Sequence, residues 1–600
     1  MKNVHNKHTI SRRQFVGMAA GAAGSAMLGI GALSGWAENS PKMENTELNK
    51  REYETDILVI GGGMAGLFAA VKAHDAGVSV MLVSKGRLGS SGQTPFAKGI
   101  FAYDANNEKM SLDEFVAQVS ASAIGTNNPV YTRQMAEHSL ARVNELRKWG
   151  FFDSPLYNNS FTKPIKERNI PLVERVTITH LIKENGKIAG AAGFSADEQK
   201  VHFFKAKSVI LCTGAGGFKP NGFPICDLTH DGTIMAYNIG AKVTGKEWND
   251  GHPGQSTNAA ACFDGWHRMF ERKPGTTGVG IRHDLGVELN YAAYKTGNAV
   301  QMGRPGSGNT TIEGGPFRPD FGEQRSGPPG GEGGEREERR PPKDSKKDKG
   351  DRPKGGGPEE GGAPTGMGGT SVGGSSAGMA IHKSEGLVPI NDKCESTIPG
   401  LYAAGDALGS YMAGAIYTQI GSSLAGSAVQ GAVAAEAAAE YCKACERPKI
   451  SQTRMNEIEE EILAPLKREA GYSPAWVTQT LQGIMIPNFI IYIKKEKLLQ
   501  AALAYIEELR DHHMPLLRAA DMHELRLANE TQNMIISAEM KLKASIMRTE
   551  SRCSHYRLDY PDMDNKNWQA WINIFKGEDG TMQFEKQPFG TWPGKENSSI

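Results

Sequence analysis

Apolar residues along this chain fall into two kinds of pattern. Thr55 to Ile60 (TDILVI) is a short β-branched apolar run, the pattern of a parallel strand buried on both faces. A glycine-rich turn and a helical stretch to about Ala76 follow, then a second apolar run from Val78 to Val83. From Met455 to Thr549 the period changes. EIEEEILAPL, KLLQAALAYIEEL and AEMKLKASIM place apolar residues at three- and four-residue spacing, which predicts amphipathic helices. Two segments fit neither pattern. Gly303 to Gly369 includes GPPGGEGGEREERRPPKDSKKDKGDRPKGGGPEEGG and lacks the apolar residues that offset the entropy of ordering, so a disordered surface insert is expected. Val16 to Ala37 carries no charge and is rich in Ala, Gly and Met.

The uncharged segment follows Ser11-Arg12-Arg13-Gln14-Phe15-Val16, which matches the twin-arginine export signature. Gly35-Trp36-Ala37 ends it with small residues suited to cleavage, so residues 1–37 read as a signal peptide, the alternative being an uncleaved anchor. A periplasmic or other extracytoplasmic location is expected, with no stable membrane span after signal removal. Export of a folded protein disfavours substrates confined to the cytoplasm, ATP and NADH included.

Composition adds limits. A single hydrophobic core stops growing at roughly 250–300 residues, so 600 residues imply two to four domains. The net charge of +1 gives no electrostatic case for nucleic acid as a partner. Seven cysteines are scattered and define no disulfide framework. Cys442 and Cys445 form a CxxC pair, but Glu446 stands where a c-type haem site needs histidine; they read as helix-end cysteines, free or bonded to each other. No metal site is expected, and no iron–sulfur cysteine cluster is visible.

The chemistry begins at Gly61-Gly62-Gly63-Met64-Ala65-Gly66, which sits between the first strand and the first helix. Gly61 permits a tight turn, Gly63 lets backbone N–H groups approach a pyrophosphate, and Gly66 lets helix and strand pack closely. The helix N-terminus then faces the negative charge. The acidic residue usual after the second strand is absent, and Ser84-Lys85-Gly86 stands there.

Motifs further along carry a resemblance. VSKGRLGSSGQTPFAKGIFA (83–102), SVILCTGAGG (208–217), LTHDGTIMAYNIGA (228–241), IPGLYAAGDALG (398–409), GSSLAGSAVQGAVAAEAA (421–438) and ESRCSHYRLDYPDMDNKNW (550–568) occur in one order. In that order they resemble the fumarate reductase/succinate dehydrogenase flavoprotein superfamily. The first of them is nearest L-aspartate oxidase, and the end of the last is similar to adenylylsulfate reductase. The resemblance implies an α/β fold: a Rossmann-type FAD-binding domain (53–246 and 378–445) interrupted by a capping domain (247–377, with the insert 303–369), followed by an α-helical C-terminal domain and tail (446–600). It implies that Gly62, Gly63, Met64 and Ala65 wrap the FAD pyrophosphate and that Ser84 and Lys85 lie near the adenosine ribose. Gly92, Gln93 and Thr94 through Gly99 would follow the flavin edge, with Thr213 and Gly214 in the returning glycine loop. Asp231 and Asp406 would accept hydrogen bonds from the cofactor, and Ser422, Ser423 and Leu424 would open a helix whose positive end faces the flavin. Gly92 occupies the place of the histidine that binds FAD covalently in membrane-bound members, so non-covalent FAD is expected.

For catalysis, KEWNDGHPG (246–254) places His252 where relatives have a substrate-binding histidine. GAIYTQIGSSL (414–424) has Thr418 at or beside the position of the carboxylate-binding arginine, with Tyr417 next to it as a hydrogen-bond donor to a carbonyl or as an aromatic packed by the flavin. TSVGGSSAGM (370–379) lacks a second expected histidine. Arg268, Arg272, Arg282 and the arginine of TIEGGPFR (311–318) are open candidates for the proton donor. The leading expectation is an FAD-dependent reductase of an activated C=C bond in a small organic acid or enone, by hydride transfer from flavin N5. Its electrons would come from a separate cytochrome c or quinol-linked protein. Alternatives are a dehydrogenase or oxidase of amino or organic acids, sulfur-nucleotide reduction (disfavoured by export), and a flavin electron carrier without fumarate-type catalysis.

Overall fold

The computed structural model describes residues 48–219, 227–249, 270–281, 291, 385–409 and 412–593. The export segment, the Gly303–Gly369 insert, His252, Arg268, Arg282 and most of the capping region lie outside the described residues.

β1 (Asn49–Ile60), α1 (Met64–Asp75) and β2 (Val80–Ser84) realise the strand–turn–helix–strand pattern. The chain continues through β3 (Gly99–Phe101), α2 (Leu112–Ser122), α3 (Pro129–Trp149), α4 (Asn158–Glu167), β4 (Leu172–Glu174), β5 (Thr177–Glu184), β6 (Lys187–Ser195) and β7 (Lys200–Leu211). α5 (Asp231–Asn238) and β8 (Val243–Thr244) lead out toward the cap, where β9 (Gly275–Thr277) is described; β10 (Gly386–Leu387) and β11 (Leu401–Ala403) bring the chain back. The main sheet runs β4-β2-β1-β7-β6-β5, and β11 pairs with β7. β4, β2, β1, β7 and β11 are mutually parallel, while β5, β6 and β7 form an antiparallel meander. The aliphatic run Ile57-Leu58-Val59-Ile60 is buried because strands flank it on both sides and helices cover it.

The long helix α6 (Ser422–Ala444) packs against α1. A Cβ on Gly431 would stand 2.3 Å from the Ala65 carbonyl, so the two backbones touch at a distance no larger residue allows. α7 (Gln452–Lys467), α8 (Pro474–Met485), α9 (Glu496–Glu508) and α10 (Met522–Met547) form the C-terminal helices, with Leu499, Ile506, Met534, Ile535 and Ala538 in a core of their own. Residues beyond Met547 depart from the helical expectation. β14 (Ala570–Lys576) and β15 (Met582–Pro588) make a hairpin that joins β8 and β10 in the antiparallel order β10-β8-β14-β15; β13 (Tyr556–Arg557), between α10 and the hairpin, pairs with β12 (Ile493–Lys494), which precedes α9. The run Trp571-Ile572-Asn573-Ile574-Phe575 is aromatic and β-branched, which suits a strand, and pairing with β8 removes its edge from water. Among the described residues no helix is long and apolar enough to cross a membrane.

Where the chain leaves for the cap and returns, ionised side chains are removed from water. Lys246, Glu247, Glu385, Lys541, Arg548 and Glu550 are each at most 2% exposed. Glu385 joins Lys246 at 2.8 Å and His230 at 2.7 Å. Arg548 donates to Glu247 at 3.0 Å, to Glu550 at 2.9 Å and to the carbonyls of Trp568 and Ala570, and lies between the Trp248 and Trp568 rings. Burial pulls the Lys541 ammonium down to about 7, although Glu385 and Glu247 oppose the shift. Its Nζ donates to the carbonyls of Lys246 and Trp248.

Removing one member of such a network leaves its partners charged in a dry site. Arg548→Met is therefore expected to destabilise the protein by about 3–5 kcal/mol, read as a lower denaturant midpoint, with Arg548→Lys intermediate. An unchanged midpoint would mean that Glu247 and Glu550 do not need this partner.

Candidate active site

The carboxyl ends of β1, β2 and β7 meet at the glycine turn, the place where an open parallel sheet binds ligands. Gly61 has φ +121°, and a Cβ there would lie 2.1 Å from the Cys212 carbonyl; on Gly66 it would lie 1.8 Å from the Gly61 carbonyl. Strand, turn and helix are thus in main-chain contact, and α1 points its N-terminus into a cleft with about 860 Å3 of empty space, part of it open to solvent.

Of the residues singled out from sequence, Gly61, Gly62, Gly63, Met64, Ala65, Ser84, Lys85, Gly92, Gln93, Thr94, Thr213, Gly214, Asp231 and Asp406 line this cleft. Thr94 Oγ1 accepts the Met64 N–H at 3.1 Å and so ties the loop after β2 to the helix start. Thr213 Oγ1 is buried with no hydrogen-bond partner among the described residues, a polar atom turned into a site that a ligand would complete. Gly66, Gly99, Ser422, Ser423 and Leu424 do not line the cleft. Gly66 serves packing, Gly99 opens β3, and the other three form the first turn of α6, where Ser422 is fully buried with its hydroxyl unpartnered among the described residues.

Lys85 projects from the end of β2 and donates to Asp231 at 2.8 Å and to Thr229 at 3.1 Å, and it pairs with Glu530 at 2.6 Å. Burial lowers its affinity for a proton, but Asp231 and Glu530 outweigh that and hold it above its ordinary value. Burial likewise disfavours an ionised Glu530, yet Lys85, Lys219 and Arg526 keep it well below the usual carboxylate range. Asn533 donates to Asp231 at 2.8 Å. Sequence reasoning missed Glu530 and Asn533, which reach the cleft from α10. Their signal is a polar run, Asn529 to Asn533, inside a helix whose neighbours are apolar.

His230 stands where relatives carry glycine and keeps the left-handed conformation that glycine favours, φ +62°. Its imidazole is held by Glu385 and by Ser537 at 3.0 Å, and burial lowers its pKa. Tyr417 and Thr418 lie in the loop before α6, away from the cleft lining. Thr418 is fully buried and donates to the Ala413 carbonyl at 3.2 Å; the Tyr417 hydroxyl accepts the Gly421 N–H at 2.9 Å. Arg272 is exposed on the described arm of the cap, and Cys442 and Cys445 are free thiols.

Comparison with known proteins agrees with this arrangement. Residues 56–159 match the family model of an FAD binding domain, and residues 478–596 match the fumarate reductase flavoprotein C-terminal region. An uncharacterized FAD-dependent oxidoreductase of Methanocaldococcus jannaschii is 25% identical over 90% of this chain and 99% of its own. A fumarate reductase (CoM/CoB) polypeptide from Methanothermobacter marburgensis is 24% identical over 85% and 95%. An L-aspartate oxidase of Vibrio cholerae is 27% identical over 34% and 45%. The fold is that of the quinol fumarate reductase flavoprotein of E. coli (TM-score 0.67, 16% identity, 90% of this chain and 98% of that one). Adenylylsulfate reductase of Archaeoglobus fulgidus shares it too (TM-score 0.62, 20% identity, 91% and 97%).

FAD is the cofactor, and the residues fit it: helix N–H groups and a side-chain-free turn for a pyrophosphate, an unpartnered Thr213 hydroxyl, and carboxylates at Asp231 and Asp406. The turn leaves no spare room. A Cβ on Gly62 would lie 2.6 Å from Ser84 Oγ. Gly62→Ala is therefore expected to weaken FAD binding at least about tenfold, the equivalent of roughly 1.4 kcal/mol. Adding Ser84→Gly should recover part of the loss. Titration of apoprotein by flavin fluorescence measures both, and equal affinity of Gly62→Ala and the parent would show that the cofactor does not approach here.

Proposed function

We propose that this chain, an FAD-dependent oxidoreductase of the fumarate reductase and aspartate oxidase family, works outside the cytoplasm and reduces an activated C=C bond in a small organic acid or enone. FAD, when bound, supplies a hydride at flavin N5. Gly92 has no side chain to form a covalent link, which supports non-covalent FAD. The match to a fumarate reductase polypeptide over 85% of this chain supports the reductive direction.

The observation that carries the substrate class is Thr418. At or beside the place of the family's carboxylate-binding arginine, this buried hydroxyl is bonded back to Ala413 and offers a substrate no charge. A dicarboxylate loses one fixed cation there, and hydrogen bonds to charged groups are worth about 1.5–3 kcal/mol. Monocarboxylates and neutral enones lose less. The first turn of α6 lies beside the same loop, and its positive end suits negative charge that develops on a carbonyl oxygen during addition to the conjugated bond. His252, in this reading, binds the substrate carbonyl or carboxylate from the cap side. Electrons reach the flavin from a separate cytochrome c or quinol-linked protein, since the sequence carries no CxxCH and no iron–sulfur cysteine cluster.

Anaerobic oxidation of a reduced viologen dye, run across unsaturated acids, esters and enones, tests the reaction. At least one monocarboxylate or enone is expected to turn over about tenfold faster than fumarate, as the missing cation implies. If no compound oxidises the dye, the reductase reading fails and an electron carrier remains. Fast reoxidation of the flavin by O2 after reduction by an amino acid would favour an oxidase instead.

Location is tested separately. Replacing both Arg12→Lys and Arg13→Lys should keep the precursor in the cytoplasm, whereas the unaltered chain fractionates with the periplasm in processed form. Export of the double variant at the parental rate would dismiss the twin-arginine reading.

A further inference from the structure

The loop before α6 turns a second polar side chain toward protein. Gln419 is 1% exposed and faces the arm of the cap formed by Phe270 to Ile281. Its Oε1 accepts the Gly280 N–H at 3.0 Å, and its Nε2 donates to the Gly278 carbonyl at 3.1 Å. One amide thus satisfies two main-chain groups of the arm, as a neighbouring strand would. The same Nε2 lies 2.9 Å from the Ile420 carbonyl, which fixes the side chain in its own loop.

The rest of the seam is built for close approach. β9 pairs in parallel with β3, and Thr277 Oγ1 donates to the Ile420 carbonyl at 3.0 Å. Phe270 packs edge-on against Phe96 with ring centroids 5.1 Å apart. Gly421 has φ +80°, and a Cβ there would lie 2.6 Å from both Phe101 N and Thr277 Oγ1. No side chain fits between arm and floor. β3 itself continues the loop Gly92–Thr94 that lines the cleft, so the arm is fastened to the segment that borders the cofactor.

We propose that Gln419 is a positioning residue, an amide latch that holds the arm Phe270 to Ile281 in register with the loop before α6 and so controls access to the end of the cleft that Gly92–Thr94 border. The inference rests on the reading of this cleft as the flavin-dependent active site. It assigns to the loop a different task from the one expected of it: where an arginine would hold substrate, Thr418 closes the loop on itself and Gln419 holds protein.

Three variants of the FAD-loaded full chain test this. Gln419→Leu removes both bonds at similar volume, Gln419→Asn shortens the fork, and Gln419→Glu keeps an acceptor for Gly280 N–H but sets a carboxylate against the Gly278 carbonyl. In Gln419→Leu, amide exchange across residues 275–281 and tryptic cleavage after the exposed Arg272 should rise about tenfold, the loss of roughly one hydrogen-bonded pair. Gln419→Asn, which keeps the amide on a shorter stem, should lie between the parent and Gln419→Leu, and Gln419→Glu, whose buried carboxylate faces the Gly278 and Ile420 carbonyls, should loosen the arm at least as far as Gln419→Leu. Iodide quenching of the bound flavin should rise in the same order at unchanged FAD content, and in the dye-coupled assay KM should rise while kcat is kept. Parental exchange and cleavage in Gln419→Leu would overturn the latch, because strand pairing alone would then hold the arm. A loosened arm with unchanged quenching and KM would also overturn it, reducing Gln419 to a local structural bond. If arm and quenching respond but no compound oxidises the dye, the latch stands and the reductase reading fails.

Discussion

Glu385 is the first described residue after the segment expected to cap the site, and its carboxylate is paired at once with Lys246, just beyond β8, and with His230, at the start of α5. A buried carboxylate is tolerated only when each oxygen has a partner, so this one residue fixes three segments relative to one another. β8 and β10 then pair across the same junction, and β14 adds a third strand from the C-terminal region. The chain is therefore anchored on both sides of residues 250–384, at Asn249 and at Glu385. Asn249 is itself pinned, its N–H donating to Ser554 at 3.0 Å and its side chain to the Ile491 carbonyl.

The same constraint reaches the cofactor cleft through one helix face. Glu530, Asn533, Ser537 and Lys541 follow one another on α10 at spacings of three and four residues, which aligns them in a stripe. The first two bond Lys85 and Asp231 at the cleft, while the last two bond His230, Lys246 and Trp248 at the junction. His230 and Asp231 are adjacent, one facing the junction and the other the cleft. One face of α10 thus serves both the junction and the residues beside the cleft.

Local geometry was legible in the sequence. The aliphatic run before Gly61, the turn and the helix after it are decided by neighbours in the chain, and the residues from Gly61 to Ala65 line the cleft as the motif requires. The stripe on α10 was not, because a polar residue at helical spacing reads as a solvated face unless its partner is known, and Lys85 lies far away in the chain. The hairpin after Met547 was hidden for a related reason: Trp571 to Phe575 becomes a strand because β8 is there to pair with it. At the loop before α6, the missing arginine was visible, but the use made of Thr418 was not. A hydroxyl bonded to a backbone carbonyl five residues away leaves no mark on composition or period.

In the proposed reading, that loop decides what chemistry the site favours. Thr418 and Gln419 both turn their hydrogen-bonding atoms toward protein, so among the described residues the loop presents no full positive charge. What remains is the N-terminus of α6, with a 23-residue helix behind it and the Ser422 hydroxyl buried at its first position. A helix end carries about half a charge, distributed over several N–H groups. That is too little to replace an ion pair with a dianion, yet it is fixed in place and favours charge as it forms. A site of this kind gains more on going from a neutral or singly charged conjugated acceptor to its addition transition state than it gains from holding a dicarboxylate in the ground state, and only the first kind of stabilisation raises kcat.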